Sequence, residues 1–156
     1  MKIKEPGKWS VLFVVALVSF ITNLDATIVV TGLPPLMEDL QLSIGTGMWT
    51  ITSFYITSTV FLLPSGRWSD MFGTKRIFLW GFALFTLATA LCGMAGSGSA
   101  LMAARLLQGT GAAMAMAAST PILIRTFPSE ELGVALGINN IAWVTGSLLG
   151  PVVGEH

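Results

Sequence analysis

The chain has 156 residues, of which 53% are hydrophobic and 10% charged, with a formal net charge of zero. Soluble domains carry about a quarter of their residues charged, so water is excluded as the solvent for most of this chain. The basic residues form no clustered patch or stripe, which excludes a nucleic-acid surface and makes membrane lipid the first expected partner.

A spanning helix needs roughly 20 mostly apolar residues, so a chain of this length holds about five spans. Apolar stretches at about residues 9–33, 48–64, 77–96, 101–123 and 133–153 predict an all-α polytopic membrane protein with five such helices. Ahead of the first stretch, Met1, Lys2, Ile3 and Lys4 look like the charged start of a signal peptide. The stretch is longer than the roughly 7–15 apolar residues of a signal peptide, contains Asp25 and lacks a small-x-small cleavage site, so a retained first helix is expected.

Within the first span, Asp25 shares its helix with Ser19, Thr22 and Asn23, and the second span carries Thr50, Thr52, Ser53, Tyr55, Thr57, Ser58 and Thr59. These polar groups either line a wet path or bond their own helix backbone. Turn residues Pro34 and Pro35, followed by Glu38 and Asp39, predict a loop between the two spans. A second polar connection, residues 66–76, contains Gly66, Asp70, Gly73, Lys75 and Arg76. Its glycines permit a tight turn, and Asp70 can bond helix N-terminal amides or a basic partner. Cys92 in the third span has no second cysteine to pair with and reads as a small buried hydrophobe. The fourth span holds Arg105 and the small residues Gly109, Gly111, Ala112 and Ala113, which predict close packing inside the bundle. In the fifth, Gly146 and Gly150 form a small-x-x-x-small face, and Pro151 removes a helix hydrogen bond. Trp9, Trp49, Trp68 and Trp80 lie near predicted helix ends and read as interfacial anchors.

Lys2, Lys4, Lys8, Arg67, Lys75, Arg76 and Arg125 fall on one side of a five-span arrangement, and only Arg105 lies within a span. Positive residues are retained inside, so a cytoplasmic N-terminus and a multi-pass protein of the inner (plasma) membrane are expected. Asp25 and Arg105 each lie roughly 10 Å below the outer surface at 1.5 Å per residue, so the two charges are at a depth where they can meet. An ionisable group in hydrocarbon normally faces a cavity or a partner. Burial favours the neutral acid and a guanidinium favours the carboxylate, so separating the pair changes whether Asp25 holds a proton, which is the physics of a coupled exchange site. The alternative is a structural ion pair.

Gly66, Asp70, Gly73 and Lys75 resemble the loop signature of the major facilitator superfamily, which lies between its second and third helices. Met71 and Thr74 stand where that signature usually has basic residues. Leu24, Asp25, Ala26, Thr27, Ile28 and Val29, followed by Leu33 and Pro34, resemble the first-helix motif of its drug:proton antiporters with fourteen spans. The stretch from Arg105 through Gln108 and Gly109 to Ala113 resembles the fourth-helix motif, and that from Gly146 through Gly150 and Pro151 to Gly154 the antiporter motif of the fifth.

The resemblance implies the N-terminal six-helix half of a major facilitator fold and a proton-coupled efflux pump for amphipathic or cationic drug-like compounds. It further implies that Asp25 and Arg105 serve proton coupling and substrate binding, that Gly66, Asp70, Gly73, Lys75 and Arg76 form a cytoplasmic gate, and that Gly146, Gly150, Pro151 and Gly154 give a bending helix. Protons and a small-molecule substrate are the implied partners. Five spans fall short of six, so the chain is expected to be a fragment whose further partner is the missing remainder of the transporter. Two other readings stay open: a major facilitator carrier of another solute, and a non-transporting membrane subunit that packs against partner helices. His156, the single histidine, ends the chain, so no His pair, Ser-His arrangement or metal-ligand spacing supports an enzyme; no enzymatic activity, cofactor or metal is expected.

Overall fold

A computed structural model describes residues 7–154; Lys2, Lys4, Glu155 and His156 lie outside the described residues. The described chain is a bundle of five α-helices: α1 (Lys8–Asp39), α2 (Ile44–Phe72), α3 (Thr74–Gly93), α4 (Gly98–Thr126) and α5 (Ser129–Gly154). By length and apolar composition alone, α1, α3 and α5 qualify as membrane spans. Helices α2 and α4 are equally long at 29 residues each but are diluted by Thr, Ser, Gly and Ala. Helix α4 buries its small residues against its neighbours and so needs less apolar surface, whereas α2 leaves Ile44, Met48, Trp49, Val60 and Leu63 exposed. The chain is a polytopic, all-helical membrane protein.

Helix α4 is the hub. It packs along α2 and α3, while α1 packs mainly along α5 and touches α4 through its buried face. Lipid offers no hydrophobic exclusion to drive helices together, so close packing must do so, and the small residues of α4 provide it. A Cβ added at Gly111 would lie 2.5 Å from the Phe85 amide nitrogen of α3, and one at Gly109 would lie 2.5 Å from the Phe54 carbonyl of α2. Gly81 of α3 is equally tight, 2.6 Å from the Ala115 amide nitrogen. The main core joins Leu12, Val15 and Val18 of α1 to Ile77 and Phe78 of α3 and to Ala115, Ala118 and Leu123 of α4. The outer surface is apolar: Phe13, Leu63, Trp80, Ile141 and Leu148 are each at least 68% exposed, which suits hydrocarbon and not water.

Two connections expected as loops are largely helical. Residues 66–72 continue α2, and the link to α3 is the single residue Gly73, at φ 97°. Helix α1 likewise runs through Pro34 and Pro35 to Asp39. Apolar length measures the stretch held in hydrocarbon, whereas backbone hydrogen bonding continues the helix beyond it. Ser43 caps α2 by accepting from the Thr46 amide at 3.2 Å, and Ser97 caps α4 by accepting from the Ala100 amide at 3.3 Å. Glu130 and Glu131 open α5 and Arg125 closes α4, in agreement with the helix dipoles. Trp9, Trp49 and Trp80 face outward, but Trp68 is half-buried against Phe61 and the core, so it is a packing residue as well as an end residue.

Candidate functional site

Asp25 of α1 and Arg105 of α4 meet inside the bundle, with Arg105 Nη1 3.2 Å from Asp25 Oδ2. Arg105 is 3% exposed and Asp25 21%, so the carboxylate is the accessible member. Gln108, one turn along α4 and fully buried, ties the pair together. Its Oε1 accepts from Arg105 Nη1 at 2.6 Å, and its Nε2 donates to Asp25 Oδ2 and to Thr89 Oγ1 of α3, both at 2.8 Å. Cys92 Sγ lies 3.8 Å from the same Gln108 oxygen. The Arg105 guanidinium also sits 5.7 Å from the centre of the Phe54 ring of α2, a cation–π contact. Four helices therefore contribute to one polar cluster, and Arg105 Nε is buried within it without a hydrogen-bond partner.

A cluster of this composition can exchange charge. Protonating Asp25 removes the ionic part of its bond to Arg105, and a cation approaching Oδ2 would compete with the guanidinium and the Gln108 amide for one oxygen. Sequence reasoning singled out Asp25 and Arg105 by their charge; it left Gln108 inside its motif and passed over Thr89. The available signal was an amide three residues from an intramembrane arginine, on the same helix face.

Two other polar residues of α1, Ser19 and Asn23, reach α5. Ser19 Oγ donates to Asn139 Oδ1 of α5 at 2.9 Å, and Asn23 Nδ2 donates to the Trp143 carbonyl at 2.6 Å. Thr22 bonds the backbone of its own helix. Ser19 and Asn23 are thus engaged with α5, and Thr22 takes the backbone-bonding alternative. On α2, Thr50, Thr52, Ser53, Thr57 and Thr59 donate to their own helix, and Ser58 alone crosses to the Gly109 carbonyl at 3.2 Å.

The residues expected to form the gate gather at the end of the bundle where α2 meets α3. Asp70, Lys75 and Arg76 are exposed, and Gly66 lies on α2 with open space where a Cβ would stand. The ion pairs among the described residues are Asp25–Arg105 and Lys8–Glu131, so Asp70 is joined to neither neighbouring cation. Gly146, Gly150 and Gly154 form one stripe of α5 against α1: a Cβ at Gly146 would lie 2.5 Å from the Phe20 carbonyl oxygen, and one at Gly154 2.9 Å from that of Ile28. At Gly150 a Cβ would collide with the Thr27 side chain. Pro151 lies within the same helix. Among the described residues, no three His, Cys, Asp or Glu side chains gather as a metal site would require.

The backbone superimposes on the crystal structure of a bacterial homolog of the human lysosomal transporter Spinster, in an inward-facing and unoccupied conformation, with a TM-score of 0.83. Sequence identity is 21%, and the match covers 97% of this chain and 32% of that one. The chain is 31% identical over 94% of its length to the riboflavin transporter RibZ of Clostridioides difficile, covering 32% of that protein. It is 33% identical to the multidrug export protein EmrB of Haemophilus influenzae, covering 89% of this chain and 27% of that one. The methylenomycin A resistance protein of Bacillus subtilis is also 33% identical, over 93% of this chain and 31% of its own. The chain thus spans about a third or less of the length of these curated relatives. The family model described as Major Facilitator Superfamily matches residues 15–156, which include Asp25, Arg105 and both glycine-bearing segments, and the chain belongs to that family of transporters.

Proposed function

We propose that this chain supplies the N-terminal helices of a transporter that exports amphipathic or cationic drug-like compounds in exchange for protons. The observation that carries the reading is the Asp25–Gln108–Arg105 cluster, an ionisable group and its partners held inside an otherwise apolar bundle. Asp25 alternates between proton and substrate, Arg105 holds the carboxylate when neither is bound, and the unpartnered Arg105 Nε is a donor in reserve. Gly66, Asp70, Gly73, Lys75 and Arg76 act at the inner gate. The glycine stripe from Gly146 to Gly154, with Pro151, lets α5 move against α1. Further helices, not part of this chain, complete the cavity. The protein sits in the inner membrane with its N-terminus in the cytoplasm, because Lys8, Lys75, Arg76 and Arg125 cluster towards one end of the bundle.

Among the relatives, names of multidrug export and antibiotic resistance support efflux. The riboflavin transporter favours a second reading, a carrier of another solute on the same fold. A test in everted vesicles containing the complete transporter separates them. Asp25→Asn is expected to abolish proton-driven uptake of a fluorescent organic cation while leaving the protein in the membrane. Unchanged uptake by this variant removes Asp25 from the coupling role.

A further inference from the structure

Polar bonds divide the five helices unequally. Helices α2, α3 and α4 form one body: Gly109 brings α4 onto the Phe54 carbonyl of α2, Gly81 and Gly111 bring α3 and α4 backbone to backbone, Ser58 bonds the Gly109 carbonyl, and Gln108 bonds Thr89. Helix α1 holds α5 by bonds of its own, from Ser19 to Asn139, from Asn23 to the Trp143 carbonyl and from Lys8 to Glu131. Among the described residues, two side-chain hydrogen bonds cross from α1 or α5 to the α2–α3–α4 body, and Asp25 Oδ2 accepts both, from Arg105 Nη1 at 3.2 Å and from Gln108 Nε2 at 2.8 Å.

The rest of that boundary is apolar. Leu12, Val15 and Val18 of α1 lie in one core with Ile77 and Phe78 of α3 and Ala115 of α4, contacts that carry no direction. Nor does a glycine bring backbone onto backbone there: Gly47 of α2 meets only the flexible Met37 side chain of α1. The partners of Asp25, moreover, keep their other bonds when it lets go. Arg105 stays on Gln108 Oε1 and beside the Phe54 ring, and Gln108 stays on Thr89, all within the α2–α3–α4 body. Breaking the two bonds to Asp25 therefore leaves the buried cation with partners, which lowers the cost of release.

We propose that Asp25 is a releasable tie between two bodies of this bundle, α1 with α5 on it and the α2–α3–α4 unit. Ionised, it joins them. The coupled proton bound at Oδ2, or a substrate cation drawn to the same oxygen, takes up the acceptor and lets α1 shift against α4. The inference rests on the reading of Asp25 as the group that takes the coupled proton, and it adds what that proton moves. The other titratable or charged groups beside Asp25 are Arg105 and, through Gln108, the Cys92 thiol of α3. Helices α2 and α5 place their charges, Arg67, Asp70, Glu130 and Glu131, towards the end that carries Lys8, and Tyr55 of α2 is exposed. The glycine seam from Gly146 to Gly154, along which α5 shifts on α1, is a separate boundary that this proton does not touch.

Distances between spin labels test this in the complete transporter, with every helix beyond α5 in place and Cys92 replaced by serine. Glu38→Cys near the end of α1 and Met94→Cys after α3 are exposed at the end of the bundle away from Lys8 and report across the boundary. Met48→Cys on α2, paired with Met94→Cys, reports within the α2–α3–α4 body. Between alkaline and acid buffer the distance from position 38 to 94 is expected to shift by about 1–2 Å or more, while that from 48 to 94 stays fixed. Asp25→Asn should hold the acid distance in both buffers. Gln108→Leu, which leaves the carboxylate in place, should loosen the same distance, whereas Ser19→Ala, which removes a bond on the α5 side, should not. A distance from 38 to 94 that ignores both pH and Asp25→Asn, or one from 48 to 94 that moves as far, overturns the inference. Transport read on the same samples separates it from the coupling reading: proton-driven uptake that survives Asp25→Asn removes the coupling role, whereas uptake lost with α1 unmoved removes the tie alone.

Discussion

Gln108 holds Asp25 more closely than the opposite charge does: its amide nitrogen lies 2.8 Å from Asp25 Oδ2, against 3.2 Å for Arg105 Nη1. The same side chain accepts from Arg105 at 2.6 Å, so one neutral residue fixes both ions and Thr89 besides. Gln108→Leu would keep the volume and remove every one of these bonds. Leaving buried polar groups unpaired costs about 1–3 kcal/mol, and that loss is expected in thermal unfolding followed by tryptophan fluorescence in detergent. A variant as stable as the parent would mean that the amide fills space without tying the cluster.

Gly73 joins α2 to α3 at φ 97° and ψ 128°, with open space where a side chain would stand. The only objection to alanine there is its backbone conformation, so Gly73→Ala should cost about 1–3 kcal/mol in the same unfolding measurement. Gly66 provides the contrast. It is helical and also surrounded by open space, so Gly66→Ala should leave stability unchanged or raise it by up to about 1 kcal/mol. If Gly66→Ala nevertheless blocks transport by the complete protein, Gly66 packs against helices beyond these five. Blocked folding would instead contradict the open geometry.

Hydropathy made α1, α3 and α5 legible as long apolar helices, and the shorter apolar runs of α2 and α4 marked two more, while every helix runs on past its apolar stretch at one end or both. Residues 66–72 are polar enough to leave the hydrocarbon but still bond their backbone as a helix. Depth counting brought Asp25 and Arg105 to one level, and charge in lipid made a partner necessary, so that pair could be read in advance. Gln108 carries no charge; its place three residues from Arg105 puts it on the same face, but its bonds to Asp25 and Thr89 depend on how α1 and α3 pack, which the sequence does not state. The glycines of α5 were legible as a packing face, but their partner was not. Ser19 and Asn23 looked like companions of Asp25 until their helix phase turned them towards Asn139 and Trp143.

Orientation can be checked by labelling. In a Cys92→Ser background, Gly96→Cys lies in the exposed link between α3 and α4, and Glu130→Cys lies in the first turn of α5. With the N-terminus in the cytoplasm, a membrane-impermeant maleimide should react with Gly96→Cys in intact cells and with Glu130→Cys only in inverted vesicles. The opposite pattern would move the basic end of the bundle, and with it the segment proposed as the inner gate, to the outer face.

The α1–α5 seam makes a prediction that depends on backbone and not on charge. At Gly146 the nearest atom to an added Cβ is the Phe20 carbonyl oxygen at 2.5 Å, and the Leu24 amide nitrogen follows at 3.2 Å, so the neighbour cannot rotate away. Gly137, on the same helix, has nothing within 4 Å. Gly146→Ala must therefore push α5 off α1, at a cost of about 1–3 kcal/mol, while Gly137→Ala should be neutral or gain up to about 1 kcal/mol from helix propensity. Separation would also stretch the Asn23–Trp143 bond at 2.6 Å, because it lies in the same seam. Hydrogen exchange should then rise along α1 near Phe20 and Leu24 in the Gly146 variant, with α3 and α4 unchanged. Equal exchange in the two alanine variants would show that α5 already stands clear of α1, and would remove the tight seam on which a moving fifth helix depends.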